Sequence, residues 1–340
     1  MQTRLQAKIL IPAVSIVILL LSALLSLSVG AVNLSFIEIL TALMEGADSA
    51  SVSSRIIFHV RLPRLLAAAL AGAGLAASGV LIQTVLANPL ASPGIIGVNA
   101  GAGFTAALAM ALFPSQIFML PIASFCGAFG TMLLVYSIAR KAGASRITLV
   151  LSGVAISGLM TAGINTIAII YPDILRGLRD FQIGGFSNVS LSSLISAGVV
   201  ILLGLGLALI FAGELDVLGL GEQTAFSLGL NVPLYRFLFL ALGAALAGAV
   251  VSFAGLIGFV GLIVPHMARF ILTKKIRQKV HSGKRMLLVL SALMGAIFLI
   301  ISDTAARTIF APFELPVGIL IAYIGVPFFL WLLLGNTHKY

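Results

Sequence analysis

The side chains able to do chemistry in this 340-residue chain are sparse and mostly basic: 20 Lys and Arg against 10 Asp and Glu. Arg61-Leu62-Pro63-Arg64 sets two guanidiniums three residues apart, and Asp303 precedes Arg307 by four, the spacing of an ion pair along one helix face. Both patterns suit charge recognition or structural pairing rather than bond making. Ser282-Gly283-Lys284-Arg285 offers a lysine after a glycine, but the upstream glycine and the following Ser/Thr of a phosphate-binding loop are missing. Gly72-Ala73-Gly74 and Gly101-Ala102-Gly103 look like dinucleotide-loop fragments, yet each lies in or beside an apolar run instead of between a strand and a helix. The single cysteine, Cys126, permits no intrachain disulfide, and no Cys/His cluster has metal-ligand spacing. No nucleophile, base or metal set converges, so the chain reads as a non-enzyme with no metal or cofactor of its own.

The elements that must carry these residues are membrane-spanning helices. The chain is 60% hydrophobic and 9% charged, against roughly 25% charged in an average soluble domain. Its apolar residues fall in blocks near the ~20 residues that let a helix cross a bilayer. Such blocks run over residues 9–29, 65–86, 95–113, 117–139, 147–170, 194–212, 286–302 and 317–334. The first follows Arg4 and Lys8 and is too long for a secretory signal core, so it reads as a retained helix. Residues 237–272 are too long for one crossing, and Gly255, Gly258 and Gly261 with Pro265 offer a place to break them into two. Arg140, Lys141 and Arg146, and the basic residues of 274–285, should share the cytoplasmic side, which requires an even number of crossings between them. The split supplies it, giving ten helices with both termini cytoplasmic. The formal charge of +10 then needs no nucleic acid, since most basic residues lie in inner loops beside lipid headgroups.

Inside the spans, Ala68, Gly72 and Ala76, Gly74 and Ser78, and Gly153 and Ser157 recur at the four-residue spacing that lets helices approach closely. Asn88 and Pro89 are expected to end the second span, with Pro93 and Pro265 marking other helix ends. No span carries an acid at its centre, as an ion-coupled carrier usually does, so energy for uphill transport is expected from elsewhere. Arg61 and Arg64 face outside, against the positive-inside tendency. They call for something acidic there, a headgroup, loop acids such as Glu38 and Glu45, or a partner.

Arg61-Leu62-Pro63-Arg64, Gly79-Val80-Leu81-Ile82-Gln83, Asn88-Pro89-Leu90-Ala91 and Pro93-Gly94-Ile95-Ile96-Gly97 resemble the FecCD family of permeases, which serve iron-siderophore, haem and cobalamin importers. The second half adds Gly258-Phe259-Val260-Gly261-Leu262-Ile263-Val264-Pro265-His266-Met267-Ala268-Arg269, then Asp303, Arg307 and Glu314-Leu315-Pro316-Val317-Gly318. The resemblance implies an all-α, cobalamin-importer-like permease of about ten helices, one domain over residues 1–340, in the cytoplasmic (inner) membrane. It implies a second permease subunit, identical or related, two cytoplasmic ATPases carrying ATP and Mg, and an external substrate-binding protein.

The same resemblance implies roles for particular residues. Arg61, Arg64 and Arg307 would dock the binding protein. Leu220, Gly221, Glu222, Ala225, Phe226, Leu228 and Gly229 would form the helix that couples to the ATPase, although Gln223 and Thr224 replace the alanines of the general motif. The fifth and tenth spans would line the pathway, with Gly143, Ala144 and Ser145 at the cytoplasmic gate. A ferric siderophore is the first expectation for the cargo, moved by alternating access, with haem or cobalamin as alternatives and an ion-coupled secondary transporter as the competing class.

Overall fold

Apolar runs near the length of a membrane crossing become helices almost one for one. The computed structural model describes residues 2–30, 32–49, 51–116, 118–143, 145–275, 283–311 and 313–335. Ala144, the segment 276–282 with Lys279 and Ser282, and Lys339 lie outside the described residues. The α-helices in chain order are α1 (Gln2–Ser28), α2 (Phe36–Glu45), α3 (Val52–Ile56), α4 (Leu62–Val85), α5 (Val98–Leu112), α6 (Met119–Lys141), α7 (Arg146–Ile170) and α8 (Leu175–Ile183). They continue as α9 (Leu191–Ile210), α10 (Ala212–Leu218), α11 (Glu222–Ser227), α12 (Val232–Ala254), α13 (Val260–Lys275), α14 (Lys284–Ala306) and α15 (Val317–Gly335). Among the described residues, eight helical stretches are long and apolar enough to cross a membrane, and Val98–Leu112 and Val260–Leu272 are shorter apolar helices. Together these are the ten apolar helices expected.

The long run 237–272 does divide, but at its glycines. α12 stops at Ala254, Gly255 takes φ 69°, and Phe259 takes φ 62° immediately before α13. Pro265, expected at a helix end, lies inside α13. A proline has no N–H to give the carbonyl four residues back, here that of Gly261. That carbonyl accepts instead from Gln83 Nε2 of α4 at 3.0 Å, so the proline costs no buried hydrogen bond.

The second span also differs from expectation, beginning at Val52 rather than Leu65. α3 runs through a wider turn over Ile57–Arg61 into α4, with the Leu62 N–H bonding Ile57 O, five residues back. This π-type turn precedes Pro63, which sits in the first turn of α4 where a proline is tolerated. At the other end, Ala87 takes φ 46° and the Asn88 N–H reaches Gln83 O at 3.1 Å. The Asn88 side chain, expected to satisfy end carbonyls, accepts the Leu90 N–H at 2.9 Å instead, because a short amide closes a turn with the backbone two residues on. Pro89 follows in that turn, and Pro93 opens a 3-10 turn over Pro93–Ile96.

α4 is the centre of the bundle, with 72% of its span buried, against 17% for α7 and 22% for α15. Small residues explain the close fit. A Cβ on Gly72 would lie 2.0 Å from Gly295 O of α14, one on Gly79 1.9 Å from Gly261 O of α13, and one on Gly153 2.1 Å from Ile95 O. Backbone cannot yield as a flexible side chain would. Gly72→Ala is therefore expected to part α4 from α14 and cost about 1–3 kcal/mol, the usual range for overpacking. Thermal unfolding in detergent checks this against Gly130→Ala in α6, where a Cβ meets nothing within 4 Å. Equal melting of the two variants would sink the packing assignment.

Candidate functional site

At the end of the bundle that the basic loops assign to the cytoplasm, α9 is followed by two short helices that turn on glycines. Gly221 (φ 104°) precedes α11 and Gly229 (φ 83°) follows it, both in backbone that disfavours a side chain. Ala225 is fully buried against the body, while Leu220, Phe226 and Leu228 are 54%, 75% and 62% exposed. Phe226 on the six-residue helix, with Leu220 and Leu228 flanking it, displays apolar surface outside the spans. Glu222, the first residue of α11, shares one carboxylate oxygen between two guanidiniums, the buried Arg236 of α12 and Arg146 of α7, the latter at 3.4 Å. Beside Arg146, Ser145 caps α7 by accepting the Thr148 N–H at 3.1 Å, and Gly143 takes φ 96° with open space around it.

The tempting Ser282–Arg285 segment proves structural where it is described. Lys284 starts α14, and its backbone N–H donates to Asp216 Oδ1 at 2.7 Å. The helix end that could have held a phosphate is occupied by a carboxylate of the chain itself.

At the opposite end of the bundle, the three arginines expected to present cations to a partner are drawn inward. Arg61, Arg64 and Arg307 are each less than a tenth exposed. Arg64 Nε bonds both oxygens of Asp303, at 3.0 and 2.9 Å, and its Nη1 bonds Glu314 at 2.7 Å. Arg307 lies 3.4 Å from Asp303 and donates to Ser26 O and Oγ of α1 at 2.9 and 2.8 Å. Arg61 donates to Leu27 O, Val32 O and, at 3.0 Å, Ser28 O. A helix C-terminus presents unpaired carbonyls and negative partial charge, which is why guanidiniums settle at the end of α1.

The expected loop acids are not the partners. Glu38 is held by the N–H and hydroxyl of Ser35, the capping pair of α2, and Glu45 by Ser49 and Ser51. Those bonds keep both exposed carboxyls below the usual range, so they stay ionised. The true acids are Asp303, buried in α14, and the half-exposed Glu314.

Gln83 was missed as a site residue. Its amide bridges Gly261 O and the Arg269 guanidinium of α13, within the Gly79 contact that brings α4 and α13 together. The available signal was Pro265, whose missing N–H announces that Gly261 needs another donor. Among the described residues, no group of three or more His, Cys, Asp or Glu could hold a metal ion.

Residues 18–335 match the model of the FecCD transport family. The chain is 37% identical over 326 residues to the Fe(3+)-citrate import system permease protein YfmE of Bacillus subtilis (strain 168), covering 95% of this chain and 94% of that one. It is 35% identical over 336 residues to the hemin transport system permease protein HmuU of Yersinia pestis, 95% of each chain. A solved structure described as an inward-facing conformation of a metal-chelate type ABC transporter superposes with a TM-score of 0.84, 32% identity and coverage of 96% and 99%. The glycine-broken helix pair and the ten apolar helices therefore lie in a multi-pass membrane protein with relatives along nearly all of its length. On this evidence the chain belongs to the FecCD transport family.

Proposed function

We propose that the chain is the membrane-spanning subunit of a binding-protein-dependent, ATP-driven importer for a metal chelate, with a ferric siderophore as the first candidate cargo and haem or cobalamin as alternatives. The carrying observation is likeness along nearly the full length to permeases named for Fe(3+)-citrate and hemin import. The chain is a translocation subunit, with ATP and Mg held by separate ATPases and a second permease subunit completing the path. Leu220, Phe226 and Leu228 form the apolar contact for the ATPase, framed by Gly221, Glu222, Ala225 and Gly229, and their exposure supports that role. ATP-driven closure of the ATPases then shifts the permease between outward- and inward-open states. Gly143 and Ser145 lie at the cytoplasmic gate, where open space beside Gly143 favours movement.

The external binding protein docks over the buried arginine cluster. Of Arg61, Arg64 and Arg307, Arg64 alone holds an exchangeable partner, because Glu314 is 48% exposed. An incoming glutamate competes with Glu314 for Arg64, while Arg61 and Arg307 brace the end of α1 beneath. Rim charges of this kind chiefly steer and orient a partner.

The test is uptake into proteoliposomes holding the chain, its ATPase and its binding protein, with ferric siderophores, haem and cobalamin offered separately. ATP-dependent uptake of a ferric siderophore that survives an ionophore is the expected result. Uptake that persists without ATP and collapses with the ionophore would make the protein a secondary carrier.

A further inference from the structure

We infer that Arg146 is a positioning residue that couples the ATPase-facing helix α11 to α7, acting through Glu222. The inference rests on the ATPase-coupling reading above. Glu222 opens the helix on which Phe226 stands exposed, and its carboxylate is held from two different membrane helices. The two holds are unequal. Arg236, in the first turns of α12, has a side chain only 7% exposed and grips Glu222 directly. Arg146, the first residue of α7, has a side chain 33% exposed and lies 3.4 Å from the same oxygen. Arg236 fixes α11 to α12, and Arg146 is the longer link through which a displacement of α11 reaches α7.

What lies behind Arg146 gives the link its consequence. Ser145 is the N-cap of α7, and Gly143, two residues earlier, has φ 96° and no neighbour within 4 Å of an added Cβ. Element-terminal residues of this kind absorb the backbone rotation of a hinge. Within its own subunit α7 is the least buried of the eight long spans, at 17%, so few contacts inside the chain resist its movement. A pull at Arg146 is delivered to the first turn of α7, three residues after a glycine in left-handed backbone.

Such a partly exposed ion pair contributes little to folding, so its removal leaves a folded protein in which the transmission is weakened. With the partner ATPase and binding protein in proteoliposomes and ferric citrate as probe, Arg146→Gln is expected to retain ATPase co-purification and the wild-type rate of ATP hydrolysis. Transport per ATP hydrolysed is expected to fall roughly 5-fold or more, the lower end of ordinary coupling between sites. Arg146→Lys, which keeps the charge, should recover most of it.

A second measurement needs no cargo. Spin labels at Ser227→Cys and Leu151→Cys, in a Cys126→Ser background, report the distance between α11 and α7. Nucleotide binding should leave it unchanged in the otherwise unsubstituted chain and lengthen it in Arg146→Gln. Identical responses in the two proteins, or an unaltered transport-to-hydrolysis ratio in Arg146→Gln, would overturn the proposal. Failure of the unsubstituted chain to retain the ATPase would sink the underlying coupling reading and the inference with it.

Discussion

Asp303→Ala is expected to lower the stability of the folded chain by about 3–5 kcal/mol, the range for removing one partner of a buried charge pair. Arg64 gives Nε to both Asp303 oxygens and Arg307 lies 3.4 Å away, with the Asp303 side chain only 2% exposed. Without the carboxylate, two guanidiniums remain buried side by side, and Arg61 adds a third where it donates to the end of α1. Glu314 is too exposed to replace it. The consequence is local before it is global: the outer ends of α1, α4 and α14 lose the charge that draws them together. Glu314→Gln removes an acid from the same cluster but leaves Asp303 in place, and should cost under about 1 kcal/mol, as exposed pairs do. Thermal and denaturant unfolding in detergent would show the contrast, and equal losses in the two variants would refute the assignment of Asp303 as the central anion.

What the sequence could reveal here followed from distance along the chain. Helix existence is a local property, so nine apolar blocks became ten helices, the glycines at 255, 258 and 261 announcing the break in the longest block. The ion pair of Asp303 with Arg307 was legible because one helical turn separates the two residues. Arg64 with Asp303 was not, since 239 residues lie between them and only the packing of α4 on α14 brings them into contact. Position and charge sign grouped Arg61, Arg64 and Arg307 at one end of the bundle, where they do cluster, yet the same facts could not say that the end of α1 and Asp303 would absorb their donors. Pro265 misled for a related reason. A proline breaks a helix when the freed carbonyl has no other donor, and the donor here, Gln83, comes from a different helix. Residue types and their spacing thus exposed the candidate site wherever its partners were near in sequence, and hid it wherever tertiary packing supplied them.

The second large effect belongs to the cytoplasmic face. Phe226→Asp is expected to weaken association with the partner ATPase by roughly 30-fold or more, the loss that accompanies an aromatic anchor at the centre of an interface. The ring is 75% exposed in the isolated chain, so no core packing is lost and the variant should fold and melt as the parent does. Ala225, its neighbour, is fully buried and anchors the helix, which fixes the face that Phe226 and Leu228 present outward. Co-purification and titration of the ATPase against the detergent-solubilised permease provide the measurement. Phe36→Asp is the matched control, because Phe36 is 61% exposed on α2 at the opposite side and should leave ATPase binding unchanged. A helix that merely floats its apolar residues in the lipid interface would also expose Phe226, but it would retain the ATPase after Phe226→Asp. Loss of binding in Phe226→Asp with retention in Phe36→Asp separates the two, since only a partner groove distinguishes one exposed phenylalanine from the other.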